Sequence, residues 1–197
     1  MIIVDVEATG VNPQKHSLLS IGAIDFENPK RQFSGECRIF EGAHVSDEGL
    51  AVNGFTRAQI EDTTKQTDKE LVEKFLEWAM ESSDHTIGGQ NPSFDRDFIE
   101  YTALRYHLNW PLTKRTVDMH SVCYLHMIQR KILPPIENNR SNLNSDAIMA
   151  YVGIPVEPKP HIALNGARYE AEAFSRLLHN RGILAEFEKF PIPWLQK

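Results

Sequence analysis

At 197 residues, with 41% hydrophobic and 24% charged side chains, the chain has the length and composition of one globular domain (residues 1–197) with a sizeable core. Its formal net charge of −6 argues against attraction of nucleic acid by the whole surface, while leaving room for a local groove and for carboxylates whose charge is offset by cations. The start, MIIVDVEATG, has no basic segment and is interrupted by Asp5 and Glu7, so it does not read as a signal peptide. No run approaches the roughly 18 apolar residues of a membrane span. Two cysteines without metal-type spacing point to a reduced, cytoplasmic setting.

In chain order, residues 1–7 alternate, with Ile2, Val4 and Val6 facing one way and Ile3, Asp5 and Glu7 the other, which predicts a strand. Leu18 to Phe26 reads as its hairpin partner, and about Gly35 to Phe40 as a third antiparallel strand. Residues 41–66 read as loop with short helix. A helix begins at Thr67, where Thr67 and Glu70 make a capping-box pair. His85 to Gly89 is a short strand running into GGQNPSFDRDFI, and helices are predicted over about 93–107 and 118–130. Leu133 to Asn144 is a loop, followed by a short helix over 145–151 closed by Gly153, a loop over 155–160, and a long helix over about 163–180. Strands first and helices afterwards, with one strand among them, give an α/β sandwich around a mixed sheet.

Three sites carry candidate chemistry. Asp5 and Glu7, spaced two apart on a strand, put both carboxylates on one face. Such a pair repels unless a cation sits between its members; otherwise it is an exposed strand end. The turn that follows, Ala8-Thr9-Gly10, offers backbone amides to a phosphate or sugar. Asp95, in Asn91-Pro92-Ser93-Phe94-Asp95, falls at a helix start, where a dipole-stabilising acid is common. His161 precedes the last helix from a loop that can reach across a cleft. His120, His126 and His179 fall on helices without convergent acids and read as structural.

Taken in order, DVEATG, NPSFDRDFI and HIALNGA resemble the three motifs of the DEDDh subgroup of DnaQ-like 3′–5′ exonucleases, and AVNGFT at 51–56 resembles the segment between the first two. The likeness spans nearly the whole chain and implies an RNase H-like mixed β-sheet flanked by α-helices. It also implies that Asp5, Glu7 and Asp95 are metal ligands, with Glu7 at the reacting centre, and that His161 is the general base. Two Mg²⁺ or Mn²⁺ ions about 4 Å apart would help generate hydroxide and stabilise the leaving 3′ oxygen. An imidazole, titrating near neutrality, suits proton transfer from water. Nucleoside 5′-monophosphates would leave one at a time from single-stranded DNA or RNA 3′ ends. Phe94 and Phe55 would stack on terminal bases or, equally, pack in the core. The size fits a standalone trimming enzyme of the oligoribonuclease or RNase T kind. A polymerase proofreading subunit is the alternative, with AEFEKFPIPWLQK as the only docking tail; its Phe187, Phe190 and Trp194 read better as packing on the domain. Many relatives are homodimers, but no self-complementary surface is legible here.

The third motif departs from the family at one place. Five residues after His161 the family has an aspartate, and this chain has Gly166. The change removes a metal ligand and puts glycine into a helix, at about 1 kcal/mol relative to alanine. It reads as glycine standing where an otherwise working enzyme carries aspartate, with catalysis severely slowed. Alternatively Glu170, one turn on and on the same face, reaches a metal through water, or the chain is a pseudoenzyme that holds 3′ ends without cutting them.

Overall fold

The computed structural model describes residues 1–196. Its centre is a five-stranded sheet in the order β3-β2-β1-β4-β5, built from β1 (Ile2–Ala8), β2 (Leu18–Asp25), β3 (Gln32–Glu36), β4 (Ile87–Gly89) and β5 (Thr116–Asp118). β1, β2 and β3 form an antiparallel meander, whereas β4 and β5 run parallel to β1. Short helices α1 (Asp47–Asn53) and α2 (Arg57–Ile60) follow the meander. On one face lie α3 (Asp68–Met80) and α4 (Pro92–Arg105), whose Leu71, Phe75, Phe98 and Ile99 pack on Ile2, Val4 and Val6. On the other lie α5 (Met119–Gln129), α6 (Ser145–Val152) and α7 (Ala163–His179), which cover Ile3, Ile24 and Phe26. The mixed sheet with helices on both faces is the expected α/β architecture.

Several expectations shift in detail. The alternation along β1 does not separate a wet face from a dry one: Ile2 and Ile3 are both fully buried, because helices cover both sides of a central strand. β3 ends at Glu36 instead of running to Phe40. β5 and a two-stranded ribbon, β6 (Ile136–Glu137) with β7 (Arg140–Ser141), lie where helix and loop were expected. The capping box is present as read: Thr67 accepts from the Glu70 amide, and Glu70 accepts from that of Thr67. Among the described residues no helix is long and apolar enough to cross a membrane.

The C-terminal segment folds back on its own domain. Phe187 is buried in the core, Phe190 and Trp194 pack against it, and the Trp194 indole donates to Asn180 at 2.7 Å. Beneath it, Arg176 donates to Glu172 at 2.7 Å and to the carbonyls of Val152 and Phe187, while Glu172 accepts the amides of Ile183 and Leu184. Both side chains are all but fully buried. Removing one partner strands a buried charge, so Arg176→Leu is expected to lower unfolding free energy by about 3–5 kcal/mol in urea melts. A loss below about 1 kcal/mol would show that the pair does not hold the tail.

Candidate active site

β1 delivers Asp5 and Glu7 to the C-terminal end of the sheet's centre. They pair across β2 with Gly22 and Ser20, and the register slips just after Glu7, a bulge that bends the strand end. α7 can approach because β2 has a glycine there: a Cβ on Gly22 would lie 2.1 Å from the backbone of Ala163 and Leu164. The helix that follows His161 is thereby seated directly over the strand pair. Asp95, in the first turn of α4, reaches β1 from the opposite face; its Oδ1 accepts the amide of Val6, between the two motif acids, at 3.0 Å. The chain enters α4 through Asn91, whose φ of 55° makes the sharp strand-to-helix turn that asparagine tolerates.

A cleft of about 170 Å³ opens among Asp5, Gln90, Glu157, His161, Gly166 and Glu170, with Ser145 and Tyr169 at its rim. The four groups picked out from the sequence come together here, Glu7 among them through its repulsion of Asp5 and Asp95. Asp5 and His161 line the cleft itself, and Asp95 stands behind Asp5. Burial, then repulsion from Asp95, Glu170, Glu7 and Glu157, holds the Asp5 carboxyl well above the ordinary range. Burial and then Glu157 raise Glu7 to about 7, and burial raises Asp95 to about 8 against the lowering pull of the amides it accepts. Glu170 is likewise raised by burial and by Asp95. So many carboxylates in one poorly solvated place are a strong attractor for a cation.

Two groups of this site were not singled out by sequence. Glu157, in the proline-rich loop, faces His161 and accepts the Ile162 amide at 3.4 Å. Gln90, just after β4, lines the cleft, and its buried side-chain carbonyl has no hydrogen-bond partner. The AVNGFT segment gains a role as well: Asn53 is buried and donates to the Ala8 carbonyl at 3.1 Å, fastening α1 to the end of β1.

The substrate-facing expectations fare unevenly. Ala8 and Thr9 are buried. The Thr9 hydroxyl donates to His44 and accepts from Ser17, its amide donates to Ser17, and its carbonyl accepts from Ser46. Thr9 is thus tied within the protein by its hydroxyl, amide and carbonyl. Gly10 remains half-buried and Asn91 exposed. The Phe94 ring packs on Phe98 at 4.9 Å between centroids, a core role. His120, His126 and His179 are engaged with Ser141, Tyr151 and Phe26, away from the cleft.

The profile of the exonuclease family, RNase_T, matches residues 2–174. The chain belongs to this exonuclease family. A curated relative, the 3′–5′ DNA exonuclease Cap18 of Escherichia coli, is 28% identical over 177 residues, covering 88% of each chain. The fold is similar to the nuclease domain of 3′hExo, a DEDDh member solved bound to rAMP, with a TM-score of 0.68 at 16% identity over 91% of both chains. It is also similar to E. coli Exonuclease I in complex with a dA16 oligonucleotide, with a TM-score of 0.72 at 14% identity, covering 91% of this chain and 40% of that one.

Members of this exonuclease family generally use divalent cations. Among the described residues no three His, Cys, Asp or Glu side chains stand ready-made at chelating distances. The fit is instead in the donor set and its needs. Hard carboxylate oxygens suit Mg²⁺ or Mn²⁺, and Glu170 brings a buried oxygen without a hydrogen-bond partner.

Proposed function

We propose that this exonuclease removes nucleotides one at a time from the 3′ ends of single-stranded DNA or RNA in the cytoplasm, with Mg²⁺ or Mn²⁺ held by Asp5, Glu7 and Asp95. The observation that carries it is the meeting of these acids from two elements around the Val6 amide, beside the cleft that His161 lines. Bound cations supply Lewis-acid polarisation of the scissile phosphate and its leaving oxygen. His161 takes a proton from the attacking water, with the Glu157 carboxylate facing it across the cleft. Two buried, unpaired cysteines agree with a reduced compartment. A trimming enzyme fits better than a proofreading subunit, because the segment weighed as a docking tail packs on the domain's own core.

The test is incubation with 3′-labelled and 5′-labelled single-stranded DNA and RNA, with Mg²⁺, Mn²⁺ or EDTA. Nucleoside 5′-monophosphates are expected from the 3′ label and a descending ladder from the 5′ label, both abolished by EDTA. Internal fragments, or cleavage indifferent to EDTA, would overturn the reading. His161→Ala should lower turnover by about 10²–10⁴-fold with Mn²⁺ binding retained; full-rate hydrolysis by that variant would remove His161 as the base.

A further inference from the structure

We propose that Glu170 supplies the fourth metal-binding carboxylate, in place of the aspartate that position 166 lacks. The inference rests on the metal-dependent reading above and goes beyond it by reassigning the ligand. Glu170 is 7% exposed, lines the same cleft as Asp5 and His161, and leaves its Oε2 buried without a hydrogen-bond partner. A buried carboxylate oxygen in that condition is costly unless a cation or donor completes it. The carboxylate accepts one hydrogen bond, from the Gln90 backbone, and Oε2 is left over. A second buried acceptor, Oε1 of Gln90, borders the same cleft and is equally unpartnered. Two orphan oxygens at one acid-lined opening call for a positive ligand.

Gly166 and Glu170 fit each other sterically. A Cβ at 166 would lie 2.4 Å from Oδ2 of Asp5 and 2.8 Å from its Cγ. The Asp5 carboxylate thus lies against bare helix backbone, in space a 166 side chain would need. Glu170 is one turn further along α7, about 5.4 Å of rise. Helical side chains tilt back toward the N-terminus, and glutamate is one methylene longer than aspartate. Oε2 of Glu170 lies beside Gly89 of β4, 3.1 Å from where a Cβ there would stand, and both features let the carboxylate reach a cation beside Asp5 directly, where one turn of helix by itself suggested contact only through water.

Calorimetric and electron-paramagnetic titration with Mn²⁺ separates the alternatives in the absence of substrate. Glu170→Gln is expected to weaken Mn²⁺ binding at least about tenfold while the metal-free protein keeps its circular dichroism and melts no lower than wild type. Glu170→Asp, which keeps the charge and shortens the reach, should show the same loss and serves if the glutamine variant does not fold. Gly166→Asp alone should neither tighten Mn²⁺ binding nor speed hydrolysis. Wild-type affinity in both Glu170 variants would overturn the assignment, as would tighter binding and faster turnover in Gly166→Asp. A wild-type protein that binds no Mn²⁺ at all would overturn the metal-dependent reading beneath it, a separate and recognisable failure.

Discussion

Asp5→Asn is expected to lower exonuclease turnover by about 10³-fold and, in the same protein, to raise the melting temperature measured in EDTA. The two effects have one origin. Asp5 sits at the focus of the acid cluster, where burial and four neighbouring carboxylates oppose its charge. Asparagine keeps the volume and removes the repulsion, so the metal-free fold gains. The same change deletes a hard anionic oxygen from the group proposed to hold the cations, so catalysis loses. A site that is strained when metal-free and useful when loaded is the expected trade between stability and function. An Asp5→Asn protein that melts lower than wild type in EDTA, or one that still cuts at near wild-type rate, would show that Asp5 is an ordinary structural acid.

How much of this was legible beforehand follows from the range of the forces involved. The elements carrying the three motifs were readable because their signals are local: apolar runs for β1 and β2, the Thr67–Glu70 box for α3, and Gly153 closing α6 in the left-handed region. β5 was not, since three half-buried residues give no periodicity and owe their strand character to pairing with β4. The buried faces of β1 depend on two sets of helices from distant sequence.

For the proposed site, Asp5, Glu7, Asp95 and His161 were picked out by motif, and the motif also made Gly166 conspicuous. Glu157 and Gln90 escaped because a glutamate in a proline-rich loop and a glutamine after a strand carry no signal until folding turns them to one cleft. The internal ties of Thr9 were hidden for the same reason: His44 and Ser46 come from a loop some 35 residues on. Glu170 was visible in sequence as a same-face acid, but the space that Gly166 leaves for Asp5 is a tertiary fact.

The acid cluster also makes the metal-free protein sensitive to pH in a direction opposite to that of most carboxylate-stabilised folds. Glu7 is raised to about 7 and Asp95 to about 8, against about 4 in the unfolded chain. Between those limits the folded state binds more protons than the unfolded state, so stability falls as pH rises. The contribution is complete below about pH 4 and is lost as pH climbs through the folded values. Melts in EDTA should therefore drop steadily from about pH 5 to about pH 9, by the equivalent of a few kcal/mol.

Saturating Mn²⁺ should flatten that slope, because a cation binds the deprotonated carboxylates and stabilises the folded state by mass action. Its affinity should accordingly rise with pH over the same interval. Asp95→Asn, which retains an oxygen to accept the Val6 amide but has nothing to titrate, should show a shallower drop in EDTA than wild type. A wild-type curve that is flat or rising between about pH 5 and 9 in EDTA would mean that the acids share the cleft without repelling one another, and the reason for a cation there would go with it.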